Sequence, residues 1–462
     1  MTMTRTRFKE QKFETLTIEM AISPDHPVRK LKDCIDWTFI YDIVEDTYSA
    51  RGRKSIDPVV LFKIAFWNIY TGRNSIRRTC MDLQTDLAGR YFLDLYILDP
   101  IPNYSDLSQN YIRRFKDTNV FESIFNHILE QAYEHHLLDL SAVHIDSTHQ
   151  KADANKNKKE KIFVEKVVPA YKEKLQETIN EIREEHNQKP LKEVQPTELV
   201  FDEKTKEEIE VPVQEKKEII VSTTDPECGV FNKGEHETCM AYVNHTVCDN
   251  RGIVLGVRTF PGNQHDSATM AETLDSLPEF LNGQIKNIAL DAGYKTAAVA
   301  KQLADRGLIA YMPYKRPMTK KGFFKKSEYI YDAERDVYVC PNEQVLTYST
   351  TNRNGYKEYK SDKSFCENCP LRSQCTASKN CTKVVTRHVW QEELDKVENR
   401  RNAKEWKMIY PRRKETIERV FAENKEHHNL RYTKLRGLEK NQNQALLIFA
   451  CHNLLKIARW AK

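Results

Sequence analysis

In the stretch IALDAGYK, residues 288 to 295, an apolar run typical of a buried strand ends abruptly on a carboxylate, Asp291. Asp291 is followed by Ala292 and Gly293, and a helix-forming segment begins near Thr296. One interpretation is that Asp291 caps that helix, since Asp accepts backbone N–H bonds where helices begin. The other is that Asp291 stands at the carboxyl end of a central strand, where α/β folds place ligands. The rest of the chain has to decide between them.

The composition is that of a globular protein. The chain has 462 residues, of which 40% are apolar, enough for two or three domains with cores of their own. No stretch approaches the roughly 18 uninterrupted apolar residues of a membrane span, and the first residues lack an apolar signal-peptide core. We therefore expect a cytoplasmic protein with no membrane contact.

Residues 1–135 have a helical pattern. In SIDPVVLFKIAFWNIYTG, Pro58 suits a first helical turn and Gly72 an end. Further helices are predicted from about Ser75 and from about Ser105, with Ser105 as a cap. Arginines recur on these helices, as in DNA-binding helical modules, although structural ion pairs explain any one of them equally well. They are Arg73, Arg77, Arg78, Arg113 and Arg114.

Strand patterns follow. LLDLSAVHIDST predicts a strand leading to Asp146, with Ser147 and Thr148 opening a turn. TCMAYVNHTVCD and GIVLGVRTF predict a hairpin around 250–252, and KNIALD and LIAYMPY flank a helix over about 296–306. This order predicts a mixed α/β sheet. The charged block 151–221 predicts an amphipathic helix in an inserted arm, or alternatively a solvated spacer.

Five of the eleven cysteines lie between residues 340 and 381. Cys366, Cys369 and Cys375, with Cys340 as a distant partner, could form a four-thiolate site for structural zinc, which would staple a segment poor in apolar residues. An iron–sulfur cluster is an alternative, and so are free thiols. A closed four-thiolate site would leave no coordination position for catalysis.

Three carboxylates have informative positions. Asp146 and Asp291 end predicted strands, and Glu418 lies on a late helix beside the apolar stripe Ile417, Val420 and Phe421. Oxygen donors from distant segments suit hard divalent cations, and two Mg²⁺ ions can promote displacement at phosphorus. An equally open interpretation is that Glu418 is a solvent-facing partner of nearby lysines. From residue 400 to 462 there are sixteen Lys and Arg residues against six acids, a bias typical of phosphate binding.

The chain resembles the DDE transposases of bacterial insertion sequences, in particular those with a helical N-terminal domain and a cysteine-bearing segment before the last catalytic helix. The motifs that carry the resemblance are GRKSIDPVVLFK, RYFLDL, HIDST, STTDP, LDAGY, CENCPLRSQC, RRKETIERVF and RGLEKNQNQALLIFACHNLLKI. It implies an RNase H-like sheet, with Asp146, Asp291 and Glu418 as the catalytic acids that hold two Mg²⁺ or Mn²⁺ ions. Asp225, in STTDP, we interpret as a turn former.

The resemblance also implies a final motif of Tyr-x2-Arg-x3-Glu-x6-Lys. Glu418 and Lys425 obey it, but Lys414 holds the Arg place and Pro411 the Tyr place, with Tyr410 and Arg413 one residue early. A basic side chain there would grip a phosphate of the transposon end. The candidate DNA contacts are Arg413, Lys414, Arg419, Lys425, Arg113 and Arg114.

The expected organisation is therefore a helical DNA-binding and dimerisation domain (1–135) and an RNase H-like core (136–150 and 222–314). A charged helical insertion (151–221), a cysteine-rich insertion (315–409) and C-terminal catalytic helices (410–462) complete it. The implied activity is binding of double-stranded DNA at terminal inverted repeats, with cleavage and strand transfer by a homodimer. The rival hypotheses are a catalytically inactive DNA-binding derivative and a related nuclease.

Overall fold

The computed structural model describes residues 16–49, 51–52, 55–165, 170–191, 197–202, 207–212, 216–233, 237–264, 266–315 and 319–460. The α-helices are α1 Ile18–Ala21, α2 Pro27–Asp33, α3 Phe39–Val44, α4 Pro58–Tyr70, α5 Ile76–Asp82, α6 Leu87–Phe92, α7 Tyr104–Asn110, α8 Val120–Glu134, α9 Ala170–Glu185, α10 Asp266–Asp275, α11 Ala297–Asp305, α12 Lys363–Glu367, α13 Arg372–Cys375, α14 Gln391–Arg400, α15 Lys404–Ile409, α16 Ile417–His427 and α17 Leu438–Trp460.

The strands are β1 Val143–Lys151, β2 Lys159–Glu165, β3 Thr197–Asp202, β4 Glu207–Pro212, β5 Lys216–Ser222, β6 Gly229–Lys233, β7 Glu237–Cys248, β8 Val254–Pro261, β9 Asn287–Ala289, β10 Ile309–Tyr311, β11 Ile330–Asp332, β12 Val337–Val339, β13 Val345–Thr351, β14 Tyr356–Ser361 and β15 Val384–His388. The predicted mixed α/β architecture is confirmed. No helix in the described ranges is both long and apolar enough to cross a membrane.

The central sheet has the order β8–β7–β1–β9–β10, and β6 pairs with the first part of β7. The hairpin β7–β8 is antiparallel, as predicted, and β7 is antiparallel to β1. In contrast, β1, β9 and β10 run parallel. β9 ends at Ala289, opposite His144, whereas β1 continues beyond this pair to Lys151.

The N-terminal helices share one apolar core with the sheet. Asp57 caps α4 through the amide of Val59, Pro58 occupies its first turn, and Gly72 follows its end with φ of +65°. The predicted cap of the third helix is wrong, since Asn103 rather than Ser105 caps α7. Asn103 lies one residue before the helix and completes a reciprocal capping box with Asp106, so the helix begins there.

Helix α17 joins these two parts. It is buried along most of its length, including the polar residues Asn441, His452 and Asn453. Asn453 binds both backbone groups of Val254 on β8, each at 2.8 Å. The amide side chain thus replaces a strand partner, which explains why a polar residue is buried in this helix.

The predicted amphipathic helix of the charged insertion is α9. Ile179 is fully buried, Arg183 donates to Thr350 Oγ1 at 2.8 Å, and Lys174 pairs with Asp305 at 2.5 Å. Helix α9 is therefore tied to β13 and to the end of α11, unlike a solvated spacer.

Residues 330–388 form a second sheet that the sequence analysis did not predict. It is an antiparallel sheet in the order β11–β12–β13–β14–β15. Its core is built from tyrosines together with Leu346 and Val385. The central tyrosines are Tyr329, Tyr338 and Tyr359. This segment, expected to be poor in apolar residues, therefore has a small core of its own.

Candidate active site

Strand β1 positions Asp146. Val143 and Ile145 are fully buried, while Asp146 keeps 22% of its side chain exposed and accepts a 2.9 Å bond from the amide of Ser147. The predicted turn at Ser147 and Thr148 is wrong, because β1 continues to Lys151 through its pairing with β7. Asp146 is thus held within a strand rather than at its tip.

Strand β9 positions Asp291. Ile288, Ala289 and Leu290 are fully buried, whereas 55% of the Asp291 side chain is exposed. Asp291 makes no side-chain capping bond to the short 3₁₀ turn that follows, and Thr296 caps α11 by accepting from the amide of Val299. The helix-cap interpretation of Asp291 is therefore wrong.

The register of β1 and β9 brings the two aspartates together. His144 lies opposite Ala289, and Asp146 and Asp291 each follow two residues further along their parallel strands. The sequence did not predict the buried hydrogen bonds that hold the turn after Asp291. The buried hydroxyl of Tyr294, three residues after Asp291, binds His245 on β7, whose other ring nitrogen lies 3.1 Å from Thr273 Oγ1 on α10.

Arg413 links both aspartates. Its Nη2 lies 2.7 Å from Asp146 Oδ2, its Nη1 lies 3.8 Å from Asp291 Oδ1, and the residue is only 5% exposed. The sequence marked Arg413 as a DNA contact, and it gave no sign of this pairing. A guanidinium between two carboxylates offsets the cost of burying its own charge.

A short helical turn, Tyr410–Lys414, holds Arg413 in place. Thr416 Oγ1 donates to the carbonyl of Arg412 at 2.7 Å. Trp406 stacks on Tyr410 at 4.8 Å and donates to the carbonyl of Met312, just beyond β10, at 3.2 Å. The turn is thereby fixed to the same edge of the sheet as the aspartates.

The neighbouring His144 is held neutral. Burial, together with the positive charges of Arg413 and Arg412, lowers its pKa to about 4, although a hydrogen bond with Asn250 raises it. A neutral imidazole adds no charge beside the aspartates, so the local electrostatics are those of two carboxylates and one guanidinium.

Glu418 lies in the first turn of α16, whose residues Ile417, Val420 and Phe421 are buried as predicted. Glu418 itself is exposed. Within the ranges given above, no group of three or more His, Cys, Asp or Glu side chains is arranged to hold a metal ion. The structure therefore brings Asp146 and Asp291 together around Arg413 without adding Glu418 to a three-carboxylate cluster.

The other basic candidates lie at different depths. Lys414, Arg419 and Arg113 are exposed, and Lys425 is half-buried. Arg419 pairs with Glu423 at 3.0 Å, and Arg114 binds Asn110 and lies 4.4 Å from the ring centre of Tyr48. Their contact with DNA stays a prediction.

The predicted zinc ligands are free thiols of intermediate exposure. Cys375 Sγ lies 3.1 Å from the Tyr329 hydroxyl, and Cys366 Sγ lies 3.2 Å from Ser361 Oγ. Burial raises the pKa of Cys375, which favours the thiol over the thiolate that binds metals. Zinc at Cys340, Cys366, Cys369 and Cys375 stays a prediction.

Comparison with known protein families gives two matches. The family described as "Transposase DDE domain" matches residues 339–458, which include Arg413 and Glu418. The family described as "Transposase domain (DUF772)" matches residues 16–113, in the N-terminal helices. Neither a curated protein nor a solved structure matches. Asp146 and Asp291 lie between the two matched segments. Transposase domains are recognised towards both ends of the chain, and together they indicate a DDE transposase of an insertion sequence.

Proposed function

We propose that the chain is an active transposase that binds the terminal inverted repeats of its element, cleaves DNA there and joins the 3′ ends to target DNA. Asp146, Asp291 and Glu418 are the catalytic acids in this proposal. The observation that carries it is the meeting of Asp146, within β1, and Asp291, just after the parallel strand β9, where they share one cation, Arg413.

The donor set fits a hard divalent cation. Two carboxylates from neighbouring strands already accommodate one positive charge between them, and oxygen-only sites select Mg²⁺ or Mn²⁺. When bound, two such ions would activate the attacking oxygen and neutralise the leaving oxygen at phosphorus. Asp146 and Asp291 would hold them from the sheet, and Glu418 from the first turn of α16.

The strand order supports an RNase H-like core. In the sheet β8–β7–β1–β9–β10, an antiparallel hairpin lies on one side of β1 and two parallel strands on the other. Asp146 lies on the middle strand, and Asp291 follows the parallel strand beside it. Arg413, in the turn that precedes α16, contacts both. Sites at the carboxyl ends of such strands are common in α/β sheets.

The remaining residues position DNA. Lys414, Arg419 and Lys425 belong to the segment that carries Glu418, so phosphates bound there would bring the scissile bond towards the carboxylates. Arg113 and Arg114 lie in a π-helical turn of the N-terminal helices and would contact DNA further from the cut. A homodimer would hold two transposon ends at once, in the cytoplasm.

Single substitutions test the assignment. We expect Asp146→Asn, Asp291→Asn and Glu418→Gln each to slow end cleavage by roughly 100-fold or more in Mg²⁺, because each removes a charged ligand from the reacting centre. The assay is cleavage of a duplex that carries the inverted repeats flanking the gene.

Glu415→Gln is the matched control. Glu415 is an exposed glutamate three residues before Glu418, and its loss should leave the rate within about threefold. Full activity in any of the three variants removes that residue from the catalytic set. If the wild type binds the repeats equally well in EDTA but never cleaves them, the inactive DNA-binding hypothesis replaces this one; cleavage without strand joining would favour the nuclease.

A further inference from the structure

Arg413 has a place that DNA binding alone does not explain. A residue that grips phosphate is expected at the surface, yet Arg413 is 5% exposed and points at the two aspartates. Lys414 and Arg412, its neighbours in the same turn, are both exposed. The buried position is therefore a property of Arg413 and not of the whole basic segment.

The guanidinium lies between the groups that the proposed function assigns to metal binding. It is 2.7 Å from Asp146 and 3.8 Å from Asp291, so it neutralises the same oxygens that a divalent cation needs. A second cation placed there would meet a full positive charge within a few ångströms, where repulsion in a partly buried site is strong. Arg413 and a metal ion at these aspartates exclude each other.

The guanidinium of Arg413 is not fully satisfied by its contacts. Its buried Nε has no hydrogen-bond partner, and the contact with Asp291 is a long ion pair. The ring centre of Tyr410 lies 5.9 Å from the guanidinium carbon, on a short turn at the protein surface. An unsatisfied donor favours departure to a better anion, because leaving it buried costs free energy.

We propose that Arg413 is a placeholder cation: in the DNA-free protein it keeps divalent cations from Asp146 and Asp291, and it leaves when a DNA phosphate takes over its guanidinium. The inference rests on the proposed function. It makes metal loading conditional on substrate, since the residue that blocks the site is also the residue that binds the phosphate backbone. Free enzyme would then hold no loaded metal centre with which to nick DNA at random.

Metal binding by the DNA-free full chain tests the first half. Mn²⁺ alone is titrated into wild type, Arg413→Gln and Arg413→Met, with bound Mn²⁺ measured by electron paramagnetic resonance. Removing the positive charge should tighten Mn²⁺ binding by about tenfold or more. Arg413→Met keeps a long side chain without charge, so it provides a second variant if the amide is poorly tolerated.

Two controls locate the effect. Arg412→Gln removes an exposed charge one residue away and should leave Mn²⁺ affinity within about twofold of wild type. Adding Asp146→Asn to Arg413→Gln should abolish the gain, which places the new site at the aspartates. Wild type that binds Mn²⁺ as tightly as the two Arg413 variants would overturn the proposal.

DNA binding in EDTA tests the second half. The salt dependence of Arg413→Gln binding to the terminal-repeat duplex should be lower than that of wild type by about one released counterion. An unchanged slope would show that no phosphate takes the guanidinium. Neither measurement depends on catalysis. If the wild type cleaves DNA but the Arg413 variants show no gain of Mn²⁺ affinity, the placeholder role is refuted and the proposed function is unaffected.

Discussion

The two larger sheets both hold aspartates, one beside an aliphatic core and the other beside a tyrosine-rich core, but they hold them by different means. In the second sheet, Asp336 accepts bonds from the hydroxyls of Tyr331 and Tyr359, each at 2.6 Å. Burial opposes its ionisation, yet these bonds keep its pKa below the ordinary value. In the central sheet, Asp146 and Asp291 share a cation from a segment 267 residues away from Asp146 in the chain.

The kind of partner distinguishes a structural carboxylate from a functional one. The two tyrosine donors to Asp336 are core side chains that cannot leave without unpacking the sheet, and Lys357 on β14 also donates to it at 3.3 Å. Asp146 and Asp291 share a cation carried by a turn outside the sheet, and that side chain can leave without breaking the pairing of either strand. A carboxylate whose partner is exchangeable is available for chemistry, whereas one bound by its own core is not.

The largest effect should come from the tyrosine core of the second sheet. Tyr359→Ala removes a fully buried ring and leaves Asp336 short of a donor, so we expect about 3–5 kcal/mol less stability there. Hydrogen exchange of strands β11–β15 measures it. Cys366→Ser is the contrasting variant and should cost under about 1 kcal/mol, because the sheet has an apolar core of its own. The reverse ranking, with zinc lost from the cysteine variant, would make metal the main stabiliser of this sheet.

A smaller effect concerns pH and should appear in both sheets. Burial lowers the pKa of His144 on β1 and of His388 on β15 to about 4, from 6.5. The unfolded chain therefore binds more protons between about pH 6.5 and pH 4, so stability present at neutral pH is lost as pH falls through this window. Each histidine should contribute about 2 kcal/mol of loss between pH 7.5 and pH 5.

Urea unfolding at the two pH values measures this loss. His388→Gln and His144→Gln should each reduce the difference between them, and by similar amounts. Trp390 donates its amide to His388 Nδ1 at 3.1 Å, a bond that protonation of that nitrogen would break. Equal stability of the wild type at pH 7.5 and pH 5 would show that neither imidazole is held neutral by burial.

Local signals predicted the elements that depend on local contacts. The hairpin at 250–252, helix α11 and the strand before Asp291 were all predicted from residues within a few positions of each other. These features are specified by turn residues, apolar runs and caps, which are present in the sequence itself.

Features set by distant contacts could not be predicted. β1 continues past Ser147 because β7 pairs with it, and nothing in HIDST indicates that pairing. The strands of the second sheet are short and carry scattered tyrosines, as in YKEYKS of β14, so their core is recognisable only when the rings meet. Arg413 could be marked as a basic residue near Glu418, but its bond to Asp146 follows only from the packing of the turn at 410–414 on the sheet.

The central claim, that Asp291 and Asp146 are metal ligands in DNA cleavage, is tested most directly by changing the ligand and the metal together. Asp291→Cys replaces a hard oxygen donor with a sulfur donor, which Mn²⁺ accepts more readily than Mg²⁺ does. We predict that this variant fails to cleave transposon ends in Mg²⁺ and regains cleavage in Mn²⁺, whereas Asp291→Ala regains it in neither. Wild-type rates for Asp291→Cys in Mg²⁺, or no recovery in Mn²⁺ from a folded protein that still binds DNA, would contradict the account.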